Sequence, residues 1–213
     1  MRIENNYSVK AHNTFGINQI TKRFIEYSSA DELKELIKSG KLEQPFFHIG
    51  AGSNLLFVDD YEGTLLHSAI CYIHPVKETK DEVWVSVGAG TCWDDFVAHC
   101  VEKEWYGVEN LSLIPGEVGS AAVQNIGAYG VEVKDLLVSL KAINLLTGEE
   151  REFSNAECQY DYRYSCFKQP EMKVWAVVEV TFKLSKQPTF NLTYKGLLSE
   201  LGEQPYSLKN IRK

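Results

Sequence analysis

Two stretches of nearly bare backbone carry the strongest chemical signal in this 213-residue chain. The longer, Pro115 to Gly130, places four glycines and several short side chains within sixteen residues. A backbone so thinly covered can lie against a bulky ligand with its N–H groups free to donate. The shorter, Gly50-Ala51-Gly52-Ser53-Asn54, follows directly on Phe46-Phe47-His48-Ile49, which reads as a short buried strand. Any one glycine is most simply a turn residue, but two such loops in one chain suit a phosphate-bearing cofactor. Neither satisfies the usual nucleotide signatures. The sixth position of a glycine fingerprint beginning at Gly50 is Leu55, and no Gly-Lys-Ser/Thr occurs. The cofactor is therefore expected on a fold other than Rossmann or P-loop.

A third stretch, Tyr160-Asp161-Tyr162-Arg163-Tyr164-Ser165-Cys166-Phe167-Lys168, is polar and aromatic with two cations. An arginine is permanently charged and presents a planar fork of donors, so Arg163 could hold a carboxylate, or an enolate as its charge forms. The same residues also fit a surface arginine packed between tyrosines at a sheet edge.

The elements that must position these stretches are legible in outline. Ser29-Ala30-Asp31-Glu32 is a capping-box pattern, and Leu33, Leu36 and Ile37 follow on one helical face, so a helix is expected over about 30–39. Phe24 to Tyr27, Phe46 to Ile49, Leu55 to Val58 and Leu65-Leu66 read as strands around it, giving an α+β unit over residues 1–68. Val83 to Val87 then alternates and ends at Gly88-Ala89-Gly90, a structural turn after which Thr91 can cap a helix bearing Phe96, Val97, Cys100 and Val101. Beyond the long bare stretch, Leu136 to Leu146 is β-like and Thr147-Gly148 marks a turn. Ser154 to Glu157 is a second capping box, expected to open a short helix, and Val174 to Phe182 reads as a long strand. Residues 69–213 thus form a second α+β unit with an antiparallel sheet. Leu208 to Lys213 reads as the start of a helix.

Composition narrows the class. Hydrophobic residues at 44% and charged residues at 24% are ordinary for a soluble globular protein. With 22 basic against 29 acidic residues and no basic stripe, nucleic-acid binding is disfavoured. No apolar run approaches membrane-spanning length and Met1 to Asn6 lacks a secretory core, so the chain reads as cytoplasmic. Five cysteines without a Cys-x-x-Cys pair suggest reduced, mostly buried thiols. His48 reads as a hydrogen-bonded core residue, and no metal is expected.

Taken together, Asn13-Thr14-Phe15-Gly16, Gly50 to Leu55, the run from Glu109 through Pro115-Gly116 to Gln124-Asn125-Ile126-Gly127-Ala128-Tyr129-Gly130, and Tyr162-Arg163 with Phe167-Lys168 resemble UDP-N-acetylenolpyruvoylglucosamine reductase. The resemblance covers nearly the whole chain in order and spacing. The Gly50 loop is shared more widely among related flavoproteins; the long run is specific. The resemblance implies an α+β, two-subdomain FAD-binding fold of the vanillyl-alcohol-oxidase (PCMH) type, truncated at the C-terminus, with FAD between the units. It implies a cytoplasmic enzyme of peptidoglycan precursor synthesis that moves a hydride from NADPH through FAD to the enolpyruvyl group of a UDP-sugar; a monomer is expected.

On that likeness Gly50, Ala51, Gly52, Ser53, Asn54 and Leu55 hold the FAD pyrophosphate. Pro115, Gly116, Gly119, Ser120, Asn125, Gly127, Ala128 and Tyr129 line the rest of the cofactor. Arg163 supplies the positive charge for the enolate, and Tyr162 and Tyr194 flank the UDP-sugar. Members of the family continue into a further substrate domain. Its Gly-Ser-Phe-Phe region carries the proton-donating serine, and a later glutamate assists; neither has an equivalent here, and Ser112, Ser120 and Ser165 fall in other motifs. Losing a positioned acid commonly costs about 10²–10⁴ in rate, so the chain as given is expected to bind FAD and to turn over slowly or not at all. The alternatives are a related flavin oxidase with another substrate, and a flavin-binding module without chemistry.

Overall fold

The computed structural model describes residues 1–201 and 206–212 and arranges its strands in two main sheets and a short hairpin. In the first sheet β1 (Arg2–Ser8), β2 (Ile20–Tyr27), β3 (Phe46–Ile49) and β4 (Tyr61–Ser68) lie in the order β1-β2-β4-β3. β1 pairs antiparallel with β2, whereas β2 and β3 both flank β4 in parallel. Strands that run parallel need a crossover: α1 (Ala30–Lys38) supplies the one from β2 to β3, and the helix-free segment 50–60 the one from β3 to β4.

The start of α1 follows its capping pattern only in part. Ser29 Oγ accepts from the Glu32 N–H at 3.1 Å. The Glu32 carboxylate reaches past Ser29 to the Met1 ammonium and the Ser28 N–H, each at 2.7 Å. Those two partners, the ammonium first, hold its pKa down at about 2.

The expected strand at Leu55 to Val58 does not form. Its period of two is real, for Leu55 and Phe57 pack on the first core while Leu56 and Val58 are exposed. After Gly50, however, the chain has left the sheet, and the run pairs with no strand.

The second sheet contains β5 (Ile73–Glu78), β6 (Glu82–Gly88), β9 (Leu137–Asn144), β10 (Glu150–Ser154) and β11 (Trp175–Ser185), in the order β10-β9-β11-β6-β5 and antiparallel throughout. Between β6 and β9 come α2 (Trp93–Glu102), α3 (Val118–Gln124) and a hairpin of β7 (Gly127–Ala128) and β8 (Val131–Glu132). β11 is apolar on both sides because both sides are buried. Val177, Val180, Phe182 and Leu184 join the core under α2, with Trp93, Phe96 and Val97. Ala176 and Val178 join Ile25, Tyr27, Leu33 and Leu66 of the first unit.

Three local expectations are corrected. Thr91 does not cap α2: Cys92 is the N-cap, with no side-chain cap bond, and the Trp93 N–H is satisfied by the Gly116 carbonyl at 3.0 Å. Ser154 and Glu157 make their reciprocal bonds, at 2.9 Å and 3.4 Å, yet only a turn follows: Gln159 is left-handed, with φ +49°, and the Cys158 carbonyl accepts from the Cys166 N–H at 2.8 Å. The Pro115–Gly130 stretch is not one bare loop but contains α3.

At the C-terminal end come α4 (Leu197–Leu201) and α5 (Leu208–Ile211); α5 is capped by Ser207 Oγ, and Lys213 lies outside the described residues. Arg212 grips Asp94 of α2 through its two terminal guanidinium nitrogens, at 2.6 and 2.8 Å. Cys100, Cys158 and Cys166 are buried and free, while Cys71 and Cys92 are exposed and free. No helix among the described residues is long and apolar enough to cross a membrane.

Candidate cofactor cleft

A cleft of about 750 Å³ lies where the end of β3, the start of α3 and β11 converge. Its first wall is the turn after β3. Gly52 has φ +73°, and a Cβ there would lie 1.8 Å from the His12 carbonyl oxygen, so only glycine fits. The turn is closed by the Leu55 N–H donating to the Gly52 carbonyl at 3.2 Å. The N–H groups of Ala51, Gly52, Ser53 and Asn54 have no acceptor among the described residues. Four consecutive unpaired donors beside a cleft form an anion-binding concavity, and buried or half-buried N–H groups are otherwise nearly always paired.

The second wall is α3. Val118, Ala121 and Ala122 recur at helical spacing and are buried, which outweighs the low propensity of Gly119. A Cβ on Gly119 would come within 2.8 Å of the Ala89 side chain, so this glycine serves the close seating of α3 on the turn after β6. The two walls touch through Ser53 Oγ donating to the Pro115 carbonyl at 3.3 Å and Asn54 Nδ2 donating to Gln124 Oε1 at 3.2 Å.

Of the residues expected to hold a cofactor, Gly50, Gly52, Ser53, Asn54 and Leu55 line the cleft, with Ala51 in the same turn, and Gly119 and Ser120 line it from α3. Pro115, Gly116, Asn125, Gly127, Ala128 and Tyr129 do not line it. Pro115 and Gly116 act through their carbonyls on Ser53 and Trp93. Asn125 is fully buried with φ +46°, ends α3, donates to the Asp161 carbonyl at 2.9 Å and accepts from the Lys134 N–H at 3.0 Å. Gly127 and Ala128 form β7, and Tyr129 and Gly130, with φ +48° and +80°, make the left-handed two-residue turn into β8.

Arg163 is brought to this hairpin. Its guanidinium donates to the carbonyls of Asn125, at 3.4 Å, and Gly127, and lies 5.7 Å from the Tyr162 ring. Its own φ is +51°, an uncommon conformation for a residue with a side chain. Tyr162 is exposed, and Tyr194 meets the Tyr129 ring edge-on at 5.4 Å. None of Arg163, Tyr162 and Tyr194 lines the cleft, although Lys168, which donates to the Arg163 carbonyl, does.

Sequence reasoning missed the polar groups behind the walls. Glu117, the N-cap of α3, lines the cleft and lies 2.8 Å from His67 Nε2, while His67 Nδ1 lies 2.9 Å from Glu26. His48 also lines the cleft, with Nε2 2.7 Å from the Tyr27 hydroxyl as a core role implies, and burial followed by the field of His67 lowers its pKa to about 4.

The chain matches the FAD binding domain family over residues 21–154. It is 55% identical over 203 residues to UDP-N-acetylenolpyruvoylglucosamine reductase of Bacteroides fragilis (strain YCH46), covering 95% of this chain and 61% of that protein. The reductase of the same name from Porphyromonas gingivalis (strain ATCC 33277) is 45% identical, with 100% and 64% covered. The chain thus spans somewhat over three-fifths of the length of these curated relatives. Among solved structures, the UDP-N-acetylenolpyruvylglucosamine reductase of Thermus caldophilus superposes with a TM-score of 0.72 at 27% identity, covering 88% of this chain and 64% of that one. A solvent-stable cholesterol oxidase, at 13% identity and a TM-score of 0.55 with 79% and 36% covered, shares the fold.

Proposed function

This chain belongs to the FAD binding domain family, and from that premise we propose that it holds FAD in the cleft between its sheets and serves the NADPH-dependent reduction of an enolpyruvyl UDP-sugar. The four N–H groups of Ala51 to Asn54 carry this reading, since they match a diphosphate and have no acceptor among the described residues. The donor set fits the cofactor: neutral backbone N–H groups favour an anion without requiring a fixed cation. When bound, FAD supplies hydride transfer. The reductases at 45–55% identity direct the choice of substrate and, with it, a cytoplasmic site of action. Residues 1–68 and 69–213 serve as the two halves of the cofactor fold; the strands of the first sheet fall within the former and those of the second within the latter.

The protein's part in the chemistry is to position and to neutralise. Hydride addition to an enolpyruvyl double bond leaves negative charge beside the carboxylate, and a preorganised donor aimed at it lowers the barrier. Arg163 is assigned that role. Two of its N–H groups are committed to the carbonyls of the Asn125–Gly127 segment, which fixes the plane of the fork, and a guanidinium has five in all. Tyr162 and Tyr194 are assigned to the substrate side.

Flavin absorbance and fluorescence of the purified protein titrated with FAD, followed by NADPH-dependent product formation from the enolpyruvyl UDP-sugar, test the assignment. Arg163→Ala is expected to keep the bound-flavin spectrum and, in a version extended to the full length of the relatives, to slow substrate reduction by about 10²–10³. Folded protein that stays colourless in excess FAD overturns the cofactor reading. Flavin bleached by NADPH without product leaves this chain a flavin-binding module.

A further inference from the structure

His67 is held by two carboxylates, one on each side of its ring. Nε2 lies 2.8 Å from Glu117 Oε1 and Nδ1 lies 2.9 Å from Glu26 Oε2. A carboxylate only accepts hydrogen bonds, and a neutral imidazole has a single N–H, so satisfying both contacts at once requires a doubly protonated ring. The side chains of His67 and Glu117 are only 11% and 12% exposed, so solvent screens the pair poorly.

The three residues sit at the junction of both cleft walls. His67 of β4 is in register with Glu26 on one side and with Ile49 on the other, and Ile49 is the last residue of β3 before the turn that carries the unpaired N–H groups. Glu117 is the N-cap of α3, which carries Gly119 and Ser120 into the opposite wall. With the ring protonated the triad bears a net charge of −1; without that proton it bears −2, and its Glu117 end faces the space assigned to a diphosphate.

We propose that the imidazolium of His67, bridging Glu26 and Glu117, is a positioning clasp that joins the cofactor turn to α3, and that affinity for FAD falls as this proton is lost. The inference rests on the cofactor reading above. Burial opposes the charge on His67, but the hydrogen bonds and fields of Glu117 and then Glu26 outweigh it and raise its pKa. The other groups around the clasp are the His12 ring at 4.9 Å, Arg2 of β1 at 3.9 Å from Glu26, His48 of β3, and Cys71 and Tyr27, each coupled to Glu117. His12 is pushed toward neutrality by burial and then by His67, and His48 likewise. Burial, then the two glutamates, raises the Cys71 thiol, and burial raises Tyr27, so neither adds charge near neutral pH. His67 is the group left to titrate there.

A raised folded-state pKa gives stabilisation that is complete below about pH 6.5 and fades as pH climbs through the folded value. Binding of FAD by the purified chain is measured by quenching of flavin fluorescence from pH 5.5 to 9, together with the thermal midpoint of the flavin-free protein. The wild-type dissociation constant is expected to rise about tenfold or more between pH 6.5 and 9, following one proton. His67→Gln, which keeps one donor and cannot charge, is expected to bind with a nearly pH-independent constant close to the wild-type alkaline value. An unchanging wild-type constant, or a His67→Gln profile that matches the wild type, overturns the clasp.

Should His67→Gln fail to fold, Glu26→Gln at the rim decides. A titration midpoint moved to lower pH supports the proposal, and an unmoved one overturns it. Protein that binds no FAD at any pH removes the cofactor reading alone; the clasp then stands or falls on whether the thermal midpoint declines above pH 6.5 in the wild type and not in His67→Gln.

Discussion

At the scale of single residues, glycine does two different jobs in the cleft, and only one of them was visible in the chain's composition. Gly52 is needed because the backbone turns left-handed against the His12 carbonyl; Gly119 is needed because α3 sits on Ala89. Gly52→Ala is expected to destabilise the protein by more than about 1 kcal/mol and to weaken FAD binding, measured by urea unfolding and flavin titration; unchanged values for both would refute the geometry. The donor turn was legible because glycines cluster in sequence wherever a backbone must bend and stay open. The Glu26–His67–Glu117 row was not, since its members lie 41 and 50 residues apart and each alone is an unremarkable polar residue. Arg163 is a candidate by its type and neighbours, but its anchoring to the carbonyls of Asn125 and Gly127 depends on a tertiary meeting that spacing does not encode.

At the scale of elements, periodicity was a good guide wherever one face was buried and a poor one elsewhere. α1 and β6 were read near their true positions because burial alternates or recurs along them, and β11 by its nearly unbroken apolar run, buried on both faces. β1 escaped notice: it is an edge strand, mostly exposed, and carries charged and polar residues as edges do. α3 was hidden by the small residues that let it pack closely. The cluster of Phe182 with Phe96 at 4.9 Å and Trp93 at 5.9 Å joins β11 to α2, and all three rings are fully buried. Phe182→Ala should therefore cost about 3–5 kcal/mol, read as a lowered urea midpoint with an unchanged slope. By contrast Val58→Ser, on a side chain 82% exposed outside any strand, should change stability by less than about 0.5 kcal/mol.

At the scale of the whole molecule, the first unit and the second share one core through Ile25, Leu66, Ile143 and Val178. A ligand that touches both should stabilise both together. FAD at a hundred times its dissociation constant is expected to add about 2.7 kcal/mol, raising the thermal midpoint by roughly 5–10 °C at about 2–4 °C per kcal/mol for a chain of this size. All four tryptophans lie after residue 68, so their fluorescence follows the second unit, whereas circular dichroism follows both. The two signals should move as one transition; a shift in fluorescence alone would contradict the shared core. Along β11, Trp175 and Val177 look into the cleft while Ala176 and Val178 point the other way into that common core. The rear of the slot is thus cast during folding, and its gauge is set before any guest arrives: whatever enters must already have the right thickness.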